Sequence, residues 1–194
     1  SAKLNENLKL KYADQEIDKI SELFLSTRTN TIKNFGFKAS IEEFMSVEDT
    51  FSFIHIATHN IVNSKNPWMT YMLFHPDSSF PDGKLYLPII YSLGTKANCL
   101  ILSGCGTGMG TNSTNEGILS VAHAFSCNPI GNLVLSLWNI DDEYTSEFMV
   151  DLYGEIINQK SIGRSLSEIK RERIKSSLNH PFFWSSILHY YNSL

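Results

Sequence analysis

Residues Cys99–Gly110 read CLILSGCGTGMG, an apolar run that stops at Ser103 and passes into glycine-rich chain around Cys105. Upstream, Phe51–Asn60 read FSFIHIATHN, a second apolar run that ends in His59. Short apolar runs bounded by turn-forming residues are the mark of buried strands in a parallel sheet. In open parallel sheets, ligands and chemistry collect at the carboxyl ends of the strands. Two such ends here carry a thiol and an imidazole. A thiol attacks only as its thiolate, and a neighbouring imidazole can take its proton. The glycines flanking Cys105 permit a sharp turn that exposes its backbone N–H, a natural donor to an oxyanion, and the N–H of Asn60 is the candidate second donor.

Working outward, Tyr12–Leu25 place Ile17, Ile20, Leu23 and Phe24 at helical spacing. A short strand is expected near Thr31–Phe35. Ser40 with Glu43 forms a capping box that opens a helix to about Ser46. The chain from Asn60 to Asp82, rich in Asn, Ser, Pro and Asp, is expected to be one long loop, a length often tied to function. Pro88 opens a short helix ending at Gly94. Ile118–Phe125 and the chain after Asp142 read as helices, Leu133–Trp138 as a strand, Ser165–Ser177 as a helix, and Phe182–Tyr190 as a last strand. Alternating strands and helices predict an α/β fold with a mostly parallel sheet covered on both faces.

Composition bounds the function. The chain has 194 residues, 16 basic and 20 acidic, for a net charge of −4. Its length suits one domain over residues 1–194, and its first residue, Ser1, suggests excision from a longer protein. The acidic balance argues against nucleic acid as partner, because phosphate contacts need a basic face. The basic run Lys170–Lys175 includes Glu172 and reads as a solvated helix face. No run approaches the roughly 18 apolar residues of a membrane span. Cys99, Cys105 and Cys127, an odd number without CxxC spacing, predict a reducing, cytoplasmic setting. Cys99 and Cys127 read as buried thiols. His55 lies four residues from His59, about 13 Å along a strand and too far to share a metal; with no HExxH motif, no metal site is expected. His75, His123, His180 and His189 read as structural or surface residues, and Trp138 and Trp184 as core or pocket floor.

HIATHN (His55–Asn60), LSGCGTG (Leu102–Gly108), NEGILSVAHAF (Asn115–Phe125), LVLSLWNIDDEYTSEFMVDLY (Leu133–Tyr153) and HPFFWSSI (His180–Ile187) resemble, in order and spacing, the CHAT domain family. These domains are caspase-like, related to separase, and often follow TPR repeats. The resemblance implies a caspase-like three-layer α/β/α sandwich and a Cys–His dyad of His59 and Cys105. Caspases also place the histidine about 50 residues before the cysteine. Asn60 stands where the family usually carries glycine, and Gly104 and Gly106 replace the alanine and glutamate of its usual LSACETG.

In separase-like relatives an acidic residue after the strand containing Leu-Trp lines the pocket for the residue before the scissile bond. The match falls best on Asp142, with Asp141 second. A carboxylate there selects Arg, or less well Lys. The same two aspartates precede a helix and also suit an N-cap.

The implied activity is that of a cysteine endopeptidase acting on a protein or peptide, with no cofactor and with regulatory domains or a partner protein outside this chain. Two rivals compete. One is a CHAT-like domain without catalysis, serving interaction or regulation. The other is an S-adenosylmethionine-dependent methyltransferase, suggested by the glycines of LSGCGTG. Against the latter, Met109 falls where the third glycine belongs, and the chain after Gly108 is too short for the remaining sheet.

Overall fold

Cys99–Ser103 form a strand whose five residues are all buried, as a strand covered on both faces must be. The computed structural model of the protein describes residues 10–27, 29–63, 65–103, 116–138 and 140–192. In chain order these form α1 (Ala13–Phe24), α2 (Ile41–Val47), β1 (Phe53–Ala57), β2 (Asn60–Ile61), β3 (Tyr71–Leu73), β4 (Lys84–Tyr86), α3 (Leu87–Ser92), β5 (Cys99–Ser103), α4 (Glu116–Ser126), β6 (Asn132–Ser136), α5 (Asp142–Ile157), α6 (Ile162–Lys175) and β7 (Ile187–Tyr191). The main sheet has the order β1-β5-β6-β7. β5 runs parallel to β1 and β6, and β7 closes the sheet antiparallel to β6. The mostly parallel α/β fold expected from the sequence is the one observed.

Side chains alternate across the sheet with period two. Leu100, Leu102, Leu133 and Leu135 join Ile41 and Phe44 of α2, Leu87 and Ile90 of α3, and Val121, Ala124 and Phe125 of α4 in one core. Cys99, Ile101 and Val134 join Ile20 of α1, Phe148, Met149 and Leu152 of α5, and Leu166 and Ile169 of α6 in the other. Helices on both faces of one sheet make three layers. Burial pushes the Cys99 thiol up to about 12, so it is inert at neutral pH. No helix among the described residues is long and apolar enough to cross a membrane.

Five expectations need correction. The stretch from Asn60 to Asp82 is not one loop: β2 pairs antiparallel with β3, and β3 with β4. Met72 and Leu85 of this second sheet are buried in the first core. The turn before β4 depends on Gly83, whose φ is +65° and whose backbone lies so close to Phe74 that a Cβ would come within 2.3 Å of that carbonyl oxygen. No strand forms at Thr31–Phe35, and the last strand begins only at Ile187, after a 3₁₀ turn at Pro181–Phe183. Cys127 is exposed, where a buried thiol was expected. The basic run of α6 is not purely solvated either. Lys170 Nζ donates to the carbonyl of Ile187 at 2.5 Å, and Arg173 pairs with Asp151 at 2.6 Å.

Truncating Phe125, which is fully buried, to alanine should cost about 3–5 kcal/mol in chemical denaturation. Gly83→Ala should cost roughly 1–3 kcal/mol through backbone strain alone, with more from the clash. A Gly83→Ala protein as stable as wild type would show that the turn is not set as described.

Candidate active site at the strand ends

The pairing of β1 with β5 aligns Ala57 with Ser103. One step further, the N–H of Thr58 donates to the carbonyl of Ser103 at 3.1 Å. His59 follows at once and is 6% exposed. Its other side is held by the second sheet: the N–H of Leu73 donates to the His59 carbonyl at 3.0 Å, and the Thr58 hydroxyl donates to the carbonyl of Leu73. The backbone of His59 is therefore fixed at the carboxyl end of β1 between two sheets.

Asn60 is buried in β2 opposite Met72. The bond from Leu73 to His59 makes Asn60–Met72 the non-hydrogen-bonded pair of the ladder. Cys105, with its own N–H, lies outside the described residues.

Beyond β6 the chain is anchored by Ser136 Oγ donating to the carbonyl of Trp138 and by Trp138 Nε1 donating to the carbonyl of Phe182. Trp138 and Trp184 pack, half-buried, against the second core. Asp141 is the N-cap of α5: its Oδ1 accepts the N–H of Glu143 at 2.9 Å, and its side chain is exposed. Asp142 differs. It lines a small cavity of about 10 Å³ with Leu10, Ala13, Glu16, Ala57, Ser103 and Thr145. Of the two aspartates, Asp142 shares a cavity with the last residues of β1 and β5, and Asp141 does not.

The sequence reading missed Glu16. This carboxylate of α1 is 3% exposed and lines the same cavity. Its Oε1 lies 2.7 Å from His55 Nε2, and the His55 ring packs against Tyr153. The available signal was its spacing: Glu16, Ile20 and Phe24 repeat every four residues on the apolar face of the helix. A surface groove of about 510 Å³ is bordered by Lys19, Glu147, Asp151 and Arg173 and, among the described residues, by none at the strand ends. The ion pairs of Arg173 with Asp151 and Glu147 account for its polar lining.

Loss of the Asp141 cap in Asp141→Ala should cost ~1 kcal/mol of stability in urea denaturation, and Asp141→Asn should recover most of it.

A family model for the CHAT domain matches residues 2–192. No curated protein matches the sequence. With a match over nearly the whole length, a parallel sheet between two helical layers and a histidine at its strand end, the chain belongs to the CHAT domain family, whose members are caspase-like and peptidase-related.

Proposed function

We propose that this domain, residues 1–194, is a cysteine endopeptidase that acts through Cys105 and His59 and cuts after Arg or Lys in a protein or peptide. The observation that carries the reading is the register of β1 on β5. Ala57 and Ser103 are partners, so His59 and Cys105 each follow their paired residue by two positions. Two residues of chain reach at most about 7 Å, and neighbouring strands lie about 4.8 Å apart. In this reading the register favours a thiol and an imidazole that meet at adjacent strand ends.

The chemistry follows in two stages. The Cys105 thiolate attacks the scissile carbonyl carbon, and the tetrahedral oxyanion accepts hydrogen bonds from the N–H groups of Cys105 and Asn60. His59 protonates the leaving amine as the C–N bond breaks, leaving a thioester on Cys105. Water then attacks the thioester with His59 as base, releasing the acid and the thiol. These steps use protein groups and water alone. The Asp142 carboxylate pairs with the cationic side chain before the scissile bond, and a partly desolvated carboxylate favours such a partner. The odd, CxxC-free cysteine usage supports a reducing, cytoplasmic setting, with activating domains or a partner protein outside this chain.

A second reading, a CHAT domain that binds or regulates without cutting, draws on one observation. The cavity beside Asp142 has room for a single water at most, so the pocket as it stands admits no basic side chain.

On matched peptides carrying Arg, Lys, Asp or Leu before the bond, cleavage should favour Arg. Cys105→Ala and His59→Ala should each abolish it while leaving the fold intact. Asp142→Ala removes a charge-assisted contact worth roughly 2–5 kcal/mol and should lower the rate on basic peptides at least tenfold. Proteolysis retained by pure Cys105→Ala would refute the dyad, and a preference for Asp would refute the assignment of Asp142. Basal turnover on short peptides should be low. Robust turnover would contradict the closed pocket.

A further inference from the structure

The carboxylate assigned above to a substrate cation is already engaged from within the chain. The backbone N–H of Lys11 donates to Asp142 Oδ2 at 3.3 Å, and the Tyr12 hydroxyl donates to Glu143 Oε2 at 3.3 Å. Leu10 is buried and, with Ala13 and Glu16, forms the wall of the Asp142 cavity that comes from the N-terminal side. Opposite it stand Ala57 and Ser103 at the sheet end and Asp142 and Thr145 on α5. Lys11 also brings a cation to this acidic turn. Its ammonium lies over the Tyr12 ring, 5.0 Å from the centroid. Its pKa is raised first by Tyr12, and further by the Glu143 and Asp141 carboxylates.

We infer that Leu10–Tyr12 is an internal plug of the Asp142 pocket, an autoinhibitory segment that a basic substrate side chain must displace. The inference rests on the proposed role of Asp142 and supplies its regulation. Three observations carry it: the cavity is too small for a guanidinium, Leu10 of the segment lines it, and the hydrogen bond to Asp142 is a backbone N–H that a substrate cation would replace. The contacts are reversible in kind. The bond to Asp142 is long, and Lys11 is exposed. α1 stays anchored behind the plug through Ile20 in the second core and through the pairing of Glu16 with His55. Displacement therefore requires only the segment ahead of α1, Leu10–Tyr12, to move.

A ligand that binds only the open form sees its affinity reduced by the fraction of molecules that are open. Agmatine, a small guanidinium compound, serves as probe, with calorimetry for affinity and hydrogen exchange over residues 10–16 for the plug. In wild type, agmatine should bind weakly and raise exchange over residues 10–16. Leu10→Ala should bind it at least tenfold more tightly and Tyr12→Phe about two- to fivefold more tightly, and Asp142→Asn added to either should abolish that gain. Thermal melts confirm that the variants are folded, and Tyr12→Phe loses only one surface hydroxyl. Equal agmatine affinity in wild type and both variants, with exchange over residues 10–16 unchanged, would overturn the plug and leave the Asp142 pocket standing. Binding that is indifferent to Asp142→Asn, or no binding to any variant, would overturn the pocket assignment and the plug with it, while leaving the Cys105–His59 dyad to its own test.

Discussion

The parallel pairing of β1 with β5 is the constraint from which the rest of this molecule follows. It is set by hydrophobic burial on two faces at once. Leu100 and Leu102 face one core while Cys99 and Ile101 face the other, and a slip of one residue would exchange the two sets. The register therefore has little freedom, and it carries the positions just beyond the strands with it. Thr58 extends the pairing by one more hydrogen bond, to Ser103, and the second sheet holds His59 from the opposite side through Leu73. The main chain that carries the imidazole is placed by hydrogen bonds to two sheets, which suits a group whose task needs fixed geometry.

The same strand ends connect this placement to the acidic turn of α5. Ala57 and Ser103 close the cavity that Asp142 borders, so the elements that position His59 also border the proposed cation pocket. What shuts that pocket is weaker than what builds it. Strand ends and helices α1 and α5 supply most of its described lining, whereas Leu10 belongs to a short segment held by that buried leucine and two long hydrogen bonds. Exposed polar contacts of this kind contribute about 1 kcal/mol or less, and a closed state held by a few kcal/mol is one that a substrate or partner can reverse.

Much of the fold was legible in the sequence because burial writes itself into pattern. The run Cys99–Ser103 coincides with its strand since a strand covered on both faces must be apolar throughout. Ser40 capped its helix as its spacing from Glu43 predicted, and Asp141 did so before α5. The second sheet was illegible: its strands are two or three residues long, too short for an alternation to register, and they sit among loop-forming residues. Thr31–Phe35 carry strand-favouring side chains but are largely exposed and find no partner strand, so propensity alone did not suffice. At the site, His59, Asn60 and the two aspartates were named from strand ends and family motifs. What separates Asp142 from Asp141, the burial of Glu16 and the approach of Lys11 are tertiary facts, made by α1 lying across α5, and no local pattern announces them.

The dyad is tested most directly by the reactivity of its thiol. Cys127 is exposed and provides an internal standard within the same molecule. Alkylation by iodoacetamide, followed residue by residue with mass spectrometry between pH 5 and 9, should modify Cys105 faster than Cys127 at neutral pH. Its apparent pKa should lie below the ~8.5 of a free thiol, and His59→Ala should erase both properties. A Cys105 that reacts no faster than Cys127, or whose profile is unchanged by His59→Ala, would contradict the pairing of thiol and imidazole on which the account stands.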